Sequence, residues 1–373
     1  MKYFVYKYSP KTIGVEPHQN LTVIVPKTKL QEYISLGFSM KNIIVCEPYT
    51  IANIFSSLTK QNYSSVEHVF TLDESMIFDI EVLNNFFTND LHNLMINLLF
   101  RDKLFMRLRV HTLGIKQPKF MGDLVSPIIT KPRLGQASQG IKIVQEIECN
   151  DSLISEEKIN YDQMFTCDGI VCNGKIVKFY SNKYDYSPLD SINNGYIVIS
   201  TNPFYWEDFT KIEELFCLTQ EIVDGFDNSK NSIYPFHFEW FYESKEENFI
   251  FCEAAKRFGG GRIPEIIDFA FGEKFTNIFW SLINGLPVKV ESLTRPKKHG
   301  TSFIKLNDGE PVTKFDHSYF NFENKIKYGI AIGKSATTSK DVSDFKFSSV
   351  FVSSSESEKM KRVQQLKRYC KIE

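Results

Sequence analysis

The sequence predicts an α/β (α+β) protein that opens on a parallel sheet. Three patterns carry that expectation. Short apolar runs alternate with helical stretches over residues 2–70. An Asn-Gly turn, Asn173-Gly174, joins two β-rich runs mid-chain. Two further strand-like runs, FHFEWFY (236–242) and FIFCEAA (249–255), carry one carboxylate each, Glu239 and Glu253.

The elements follow in order. Residues 2–7 alternate and stop at Ser9-Pro10, residues 21–25 stop at Pro26, and NIIVC (42–46) reads as a buried strand. Helical spacing fills 29–35 and 51–58, and residues 68–70 return to strand. Strands alternating with short helices imply a parallel sheet with helices on its faces. No GxGxxG is present, so a dinucleotide fold is not supported. Asp73-Glu74-Ser75 reads as a helix start, with apolar residues recurring from Ile77 through Phe87 and from Leu91 to Leu98. RDKLFMRLRVHTLGIKQPKF (101–120) continues helical until Gly114; spacing alone makes Lys103 a solvated helix lysine. In SPIITKPRLGQASQG (126–140) a β-branched strand ends on Lys131-Pro132. A loop of small residues follows, able to bring backbone N–H groups close to phosphate. It is not a P-loop, since no GK[ST] ends it.

Residues 141–147 read as a strand. Residues 164–171 and 175–180 form a hairpin about Asn173-Gly174. Residues 196–200 are strand, and 206–222 read as one helix with Phe209, Ile212, Leu215 and Phe216 on a face. Residues 277–283 are helical, the chain from Val288 is strand and turn with a strand at 348–352, and 356–369 form a closing helix.

Composition narrows the function. A chain of 373 residues has room for two or three domains. Its 44 basic and 45 acidic residues give a net charge of −1, so no broad basic field exists for nucleic acid. No apolar run reaches a membrane span and the N-terminus lacks a signal core, so a cytoplasmic protein is expected. The cysteines Cys46, Cys149, Cys167, Cys172, Cys217, Cys252 and Cys370 are scattered. Only Cys167 and Cys172 are close, and no second pair completes a zinc site. What stands out is residues 236–267. Glu239 and Glu253 on adjacent strands, Arg257, three glycines (Gly259, Gly260, Gly261) and a helix start at Pro264 suit a divalent cation holding polyphosphate oxygens. Read alone, Glu239 is equally a surface strand carboxylate. A lone charge in the buried run around Glu253 is costly, which favours a role there.

Together these pieces resemble the ATP-grasp superfamily of carboxylate–amine and carboxylate–thiol ligases. The resemblance covers about residues 74–272, and its form in EAAKR…GGG looks closest to the L-amino-acid ligases. RDKLFMRLRVHTLGIKQPKF is similar to the family's "RDK…M…L…GI..P" helix, PIITKPRLGQASQG to its strand and phosphate loop, and MFTCDGIVCNGKIV to its "DG.V..GK.V" hairpin. FHFEWF and FCEAAKRFGGGRIP are similar to its metal-binding strand pair. The resemblance implies an N-terminal parallel domain (1–95), a central and lid subdomain (96–195) and a C-terminal catalytic domain with a mixed sheet (196–373). It also implies ATP and Mg²⁺ as cofactors.

Roles follow position by position. Lys103 and Lys131 match the phosphate lysines, and Gln136, Ala137 and Ser138 the tip of the loop that closes over the β- and γ-phosphates. Glu239 and Glu253 match the magnesium carboxylates, and Arg257 the arginine that steadies the acyl-phosphate. The adenine hinge is expected at 155–159, through the Glu157 carbonyl and the Ile159 N–H, with 144–147 the competing placement; Asp162 or Gln163 is nearest the ribose. Arg262 is expected on a substrate carboxylate or at a surface helix start, and His237 beside the metal ligands or in a structural place. Ala255 stands where many members carry asparagine, and Glu253 is expected to compensate by bidentate binding.

The implied function is an ATP-dependent ligase that activates a carboxylate, an amino acid, as acyl-phosphate and joins it to an amine. Two rivals stand beside it: a carboxylate–thiol ligase loading a carrier protein, and a non-catalytic nucleotide-binding module. A homodimer is compatible with the sequence.

Overall fold

The computed structural model describes residues 1–61, 66–89, 91–147, 150–227, 232–314, 316, 320, 322–339 and 344–372. Cys149 lies outside them. Its first unit contains β1 (Lys2–Val5), β2 (Leu21–Pro26), α1 (Leu30–Ser35), β3 (Ile43–Cys46), α2 (Ile51–Thr59) and β4 (His68–Phe70). The strands lie in the order β3-β2-β1-β4, all parallel. As expected of such a sheet, Leu21–Val25 are buried on both faces.

The helical stretch that follows is divided into α3 (Ile77–Thr88), α4 (His92–Arg101) and α5 (Lys103–Thr112). Asn89 leaves α3 in the left-handed conformation. Asp73 precedes the helix by several residues and instead accepts from the Ser75 N–H at 3.0 Å. The break at Asp102 matters most. Its backbone is extended and its carboxylate caps α5 at the Leu104 N–H, 2.9 Å away. Arg133 holds the same carboxylate at 3.0 and 2.6 Å. Lys103 therefore starts a new helix and is buried, not solvated.

Next come β5 (Ile128–Pro132), β6 (Lys142–Val144) and β7 (Leu153–Glu157), a small antiparallel sheet in the order β6-β5-β7. The largest sheet begins with the hairpin β8 (Gln163–Cys172) and β9 (Lys175–Tyr184). It continues through α6 (Pro188–Asn194), β10 (Tyr196–Thr201), α7 (Phe204–Glu207), α8 (Phe209–Phe226), β11 (Ile233–Glu243) and β12 (Asn248–Ala255). It ends with α9 (Ile263–Phe271), α10 (Phe275–Ile283), β13 (His299–Leu306), β14 (Lys325–Tyr328), β15 (Phe345–Ser353) and α11 (Glu356–Ile372). Its order is β12-β11-β8-β9-β10-β13-β15-β14. Its ladders are antiparallel, with one isolated parallel bridge from Phe179 to Leu293.

Two expectations need correction. The helix at 206–222 is two helices, because Asp208 is extended and caps α8 at the Thr210 N–H. The boundary at residue 195 falls inside the large sheet, since β8 and β9 are hydrogen-bonded to β11 and β10. A division after β7 keeps every sheet whole. The parallel sheet is anchored to α10: Trp280 donates to the Ile13 carbonyl at 2.7 Å and packs edge-on against Phe4.

Candidate active site

The site follows from a flaw in a strand pair. Along β11 the even-numbered aromatics Phe236, Phe238, Trp240 and Tyr242 are buried, and His237, Glu239 and Phe241 take the other face. On β12 regular alternation would put Glu253 with Phe251 and Phe249. The register instead jumps between Glu239↔Glu253 and Trp240↔Phe251, leaving Cys252 as a bulge. That extra residue inverts the parity. Phe249 and Phe251 stay opposite Tyr242 and Trp240, while Glu253 faces Glu239. Arg107 holds the bulge by donating to the Cys252 carbonyl at 2.7 Å.

Both carboxylates open on a cavity of about 890 Å³, also lined by Lys103, Lys131, Gln136–Ser138, His237 and Arg257. Lys103 Nζ lies 2.9 Å from Glu253 Oε1 and donates to the Gly135 carbonyl at 2.9 Å. Burial works against charge on Glu253, but Lys103 and Lys131 outweigh it and hold its carboxyl below the usual range. Tyr184 donates to Glu239 Oε1 at 3.0 Å. His237 Nδ1 is 2.8 Å from Asp168 Oδ1, and its Nε2 is 3.6 Å from Glu239. Burial disfavours the imidazolium, yet Asp168 lifts its pKa to about 9. Gly259 packs on this pair: a Cβ there would overlap Asp168 Oδ1 and lie 2.9 Å from His237 Nδ1.

Lys131 pairs with the buried Glu156, whose other oxygen takes Arg107 Nε at 2.9 Å. Burial opposes ionisation of Glu156, but the two cations outweigh it and hold its pKa down at about 2. Arg257 pairs through Nε with Glu74 and donates to the Phe258 carbonyl at 2.8 Å. Glu74 also lies 3.7 Å from Arg101, which donates to the Leu134 and Gly135 carbonyls at the root of the small-residue loop. In that loop Ala137 and Ser138 both have positive φ, 52° and 60°. Such conformations are uncommon in residues with a Cβ and cluster at ligand clamps.

On the far wall lie Glu157, Ile159, Asp162 and Gln163, with Tyr161 stacked on Phe241 at 4.4 Å. Of the two hinge placements, 155–159 contributes residues to the cavity; 144–147 does not. Arg262 reaches the rim, but its guanidinium is taken by Glu265 and by the Lys325 and Ser348 carbonyls.

The fold has known counterparts. No protein-family model matches the chain. An L-amino acid ligase from Bacillus licheniformis superposes with a TM-score of 0.72 at 12% identity, covering 98% of this chain and 96% of that one. N5-carboxyaminoimidazole ribonucleotide synthetase from Thermotoga maritima gives 0.71 at 14%, over 98% and 97%. The Aspergillus clavatus carboxyaminoimidazole ribonucleotide synthase, solved with ATP, gives 0.66 at 12%, over 98% and 97%. The chain has the ATP-grasp fold. By sequence it is 23% identical over 244 residues to the L-arginine-specific L-amino acid ligase of Bacillus subtilis. That match spans 57% of this chain and 56% of the relative, little more than half of each.

In ATP-grasp terms, the donor set meets the test for magnesium. Among the described residues no cluster of three or more acidic, histidine or cysteine ligands forms a cage. Mg²⁺ needs none, since one or two carboxylates suffice when phosphates complete its shell. Glu239 and Glu253, paired across two strands, are two carboxylates on one wall of the cavity. The bidentate contact expected of Glu253 requires the Lys103 ammonium to yield.

Sequence reasoning missed Glu74, Arg107, Glu156, Asp168 and Tyr184. Two of them left a signal. Glu156 shares strand parity with the buried Ile154, and Arg107 shares a helix face with Met106 and Val110. A charge on a buried face needs a partner.

Proposed function

We propose that this protein is an ATP-dependent ligase. It activates a small-molecule carboxylate, an amino acid, as acyl-phosphate and joins it to an amine, releasing ADP and phosphate. The observation that carries this reading is the meeting of Lys103, Lys131, Glu239, Glu253 and Arg257 around one cavity of the ATP-grasp fold.

In this reading the base lies between Tyr161, Phe241 and the segment of Glu157 and Ile159, with Gln163 or Asp162 towards the ribose. Lys103 and Lys131 hold the phosphates, and Gln136, Ala137 and Ser138 close over them. Mg²⁺ on Glu239 and Glu253 supplies charge neutralisation when bound. Arg257, held by Glu74, stabilises the charge that develops on the acyl-phosphate. His237 fixes Glu239 from behind. Phosphoryl transfer depends on such positioning and charge, with little covalent help from the protein.

Glu253→Ala and Arg257→Ala are each expected to abolish ADP formation, with circular dichroism unchanged. Wild-type turnover by either variant refutes the assignment. Product mass distinguishes an amine acceptor from a carrier-bound thiol, and light scattering reports whether the protein is a homodimer.

A further inference from the structure

Behind Arg257 lies a second cavity of about 40 Å³, with Leu72, Glu81, Asn97, Tyr234 and Lys256 among its walls. Its place follows from strand parity. Glu253, Ala255 and Arg257 line the main cavity, and Lys256, between the last two, lines the second. Lys256 donates from Nζ to Asn97 Oδ1 at 2.8 Å and lies 4.8 Å from the centre of the Tyr234 ring. Asn97 donates to Glu81 Oε2 at 2.8 Å, and Asn84 donates to Glu81 Oε1 at 2.7 Å. Asn84 in turn accepts from the Val69 N–H at 2.9 Å. These contacts run from β4 through α3 and α4 to the residue after β12. Burial lowers the Lys256 pKa, and Glu81 and Asp227 oppose that shift.

None of Val69, Asn84, Glu81, Asn97 and Lys256 lines the main cavity. Buried ionic groups are also a poor source of net stability. What a satisfied polar network supplies is rigidity. Here it holds the residue next to Arg257. Helix α4 grips that segment at two points. Asn97 takes Lys256, and Arg101, four residues on and on the same helix face, lies 3.7 Å from Glu74, the partner of Arg257. Glu74 holds the guanidinium of Arg257, and Lys256 holds the backbone beneath it.

We propose that Lys256 is a positioning residue for Arg257: anchored to Asn97 and Glu81 behind the strand, it fixes where the Arg257 guanidinium stands in the main cavity. The inference rests on the ligase reading, in which Arg257 acts on the acyl-phosphate.

The test uses the full chain with ATP, Mg²⁺ and the common amino acids, read by ADP formation. Lys256→Met should lower kcat by about ten- to a hundredfold while KM for ATP stays within about twofold, since Lys103 and Lys131 are untouched. Lys256→Arg should stay within about threefold of wild type, because a guanidinium still donates to Asn97 and the second cavity has room for it. On an Arg257→Lys background, Lys256→Met should cost less than about threefold more, since substitutions that act through one group do not add. Asn97→Ala, which removes the acceptor and leaves Lys256 in place, should repeat the loss in kcat and carries the test if Lys256→Met does not fold. Wild-type kcat in either folded variant, a Lys256→Arg variant as impaired as Lys256→Met, or a full multiplicative loss on the Arg257→Lys background overturns the proposal with the ligase reading intact. A loss that falls equally on kcat and on KM for ATP makes Lys256 a support of the fold alone and overturns it too. Absence of ADP formation from wild type with every amino acid overturns the ligase reading, and this proposal with it.

Discussion

Arg107 and Glu156 form a buried ion pair, 2.9 Å between Nε and Oε2, on two elements that flank the cavity. The same guanidinium holds the Cys252 carbonyl, and the same carboxylate holds Lys131. One buried charge pair thus ties the bulge that aims Glu253 to Lys131 in the cavity wall. Arg107→Met leaves Glu156 with one cation in a dry site. Loss of one partner of a buried pair costs about 3–5 kcal/mol. Denaturant unfolding should show a loss of that order, and a loss under about 1 kcal/mol contradicts the pairing.

Glu156 also sets an acid limit. Its pKa in the folded protein is about 2, held there against burial by Arg107 and Lys131. An unfolded glutamate titrates near ~4.3. Its contribution to stability is therefore complete above about pH 4.3 and is lost as pH falls towards 2. Glu156→Gln should flatten the pH dependence of unfolding in that window; an unchanged slope there rules the linkage out.

Glu74 should matter to turnover although nothing in the proposed chemistry passes through it. It fixes Arg257 and faces Arg101, which grips the loop root. Misplacing a charge-stabilising group by about 1 Å costs on the order of a hundredfold in rate. Glu74→Gln is expected to lower kcat for ADP formation by about ten- to a hundredfold with the protein folded. Steady-state kinetics equal to wild type would show that Arg257 is positioned without it.

Gly259→Ala places a methyl group against Asp168 Oδ1 and His237 Nδ1. Overpacking of this kind costs about 1–3 kcal/mol. Thermal unfolding should register the loss, and Gly260→Ala is the control, because a Cβ at Gly260 meets no atom within 4 Å. Equal melting of the two variants would remove the packing argument.

The sequence by itself determined the elements whose cause is local. Alternating strands and helices specified the parallel sheet and Asn173-Gly174 the hairpin, and motif resemblance singled out Lys103, Lys131, Glu239, Glu253 and Arg257, which the fold brings to one cavity. Only the tertiary structure decided which way those groups face. A one-residue bulge at Cys252, invisible in a run reading FIFCEAA, turns Glu253 away from the core. A cap at Asp102, secured by Arg133 from another element, converts Lys103 from a solvated residue into a buried one. Glu74, Arg107 and Glu156 act across 183, 145 and 49 residues of chain, on Arg257, Cys252 and Arg107 respectively. Periodicity reports the face a residue takes within its own element. The partner that neutralises a buried charge comes from another element, so its identity is fixed only when the chain is folded.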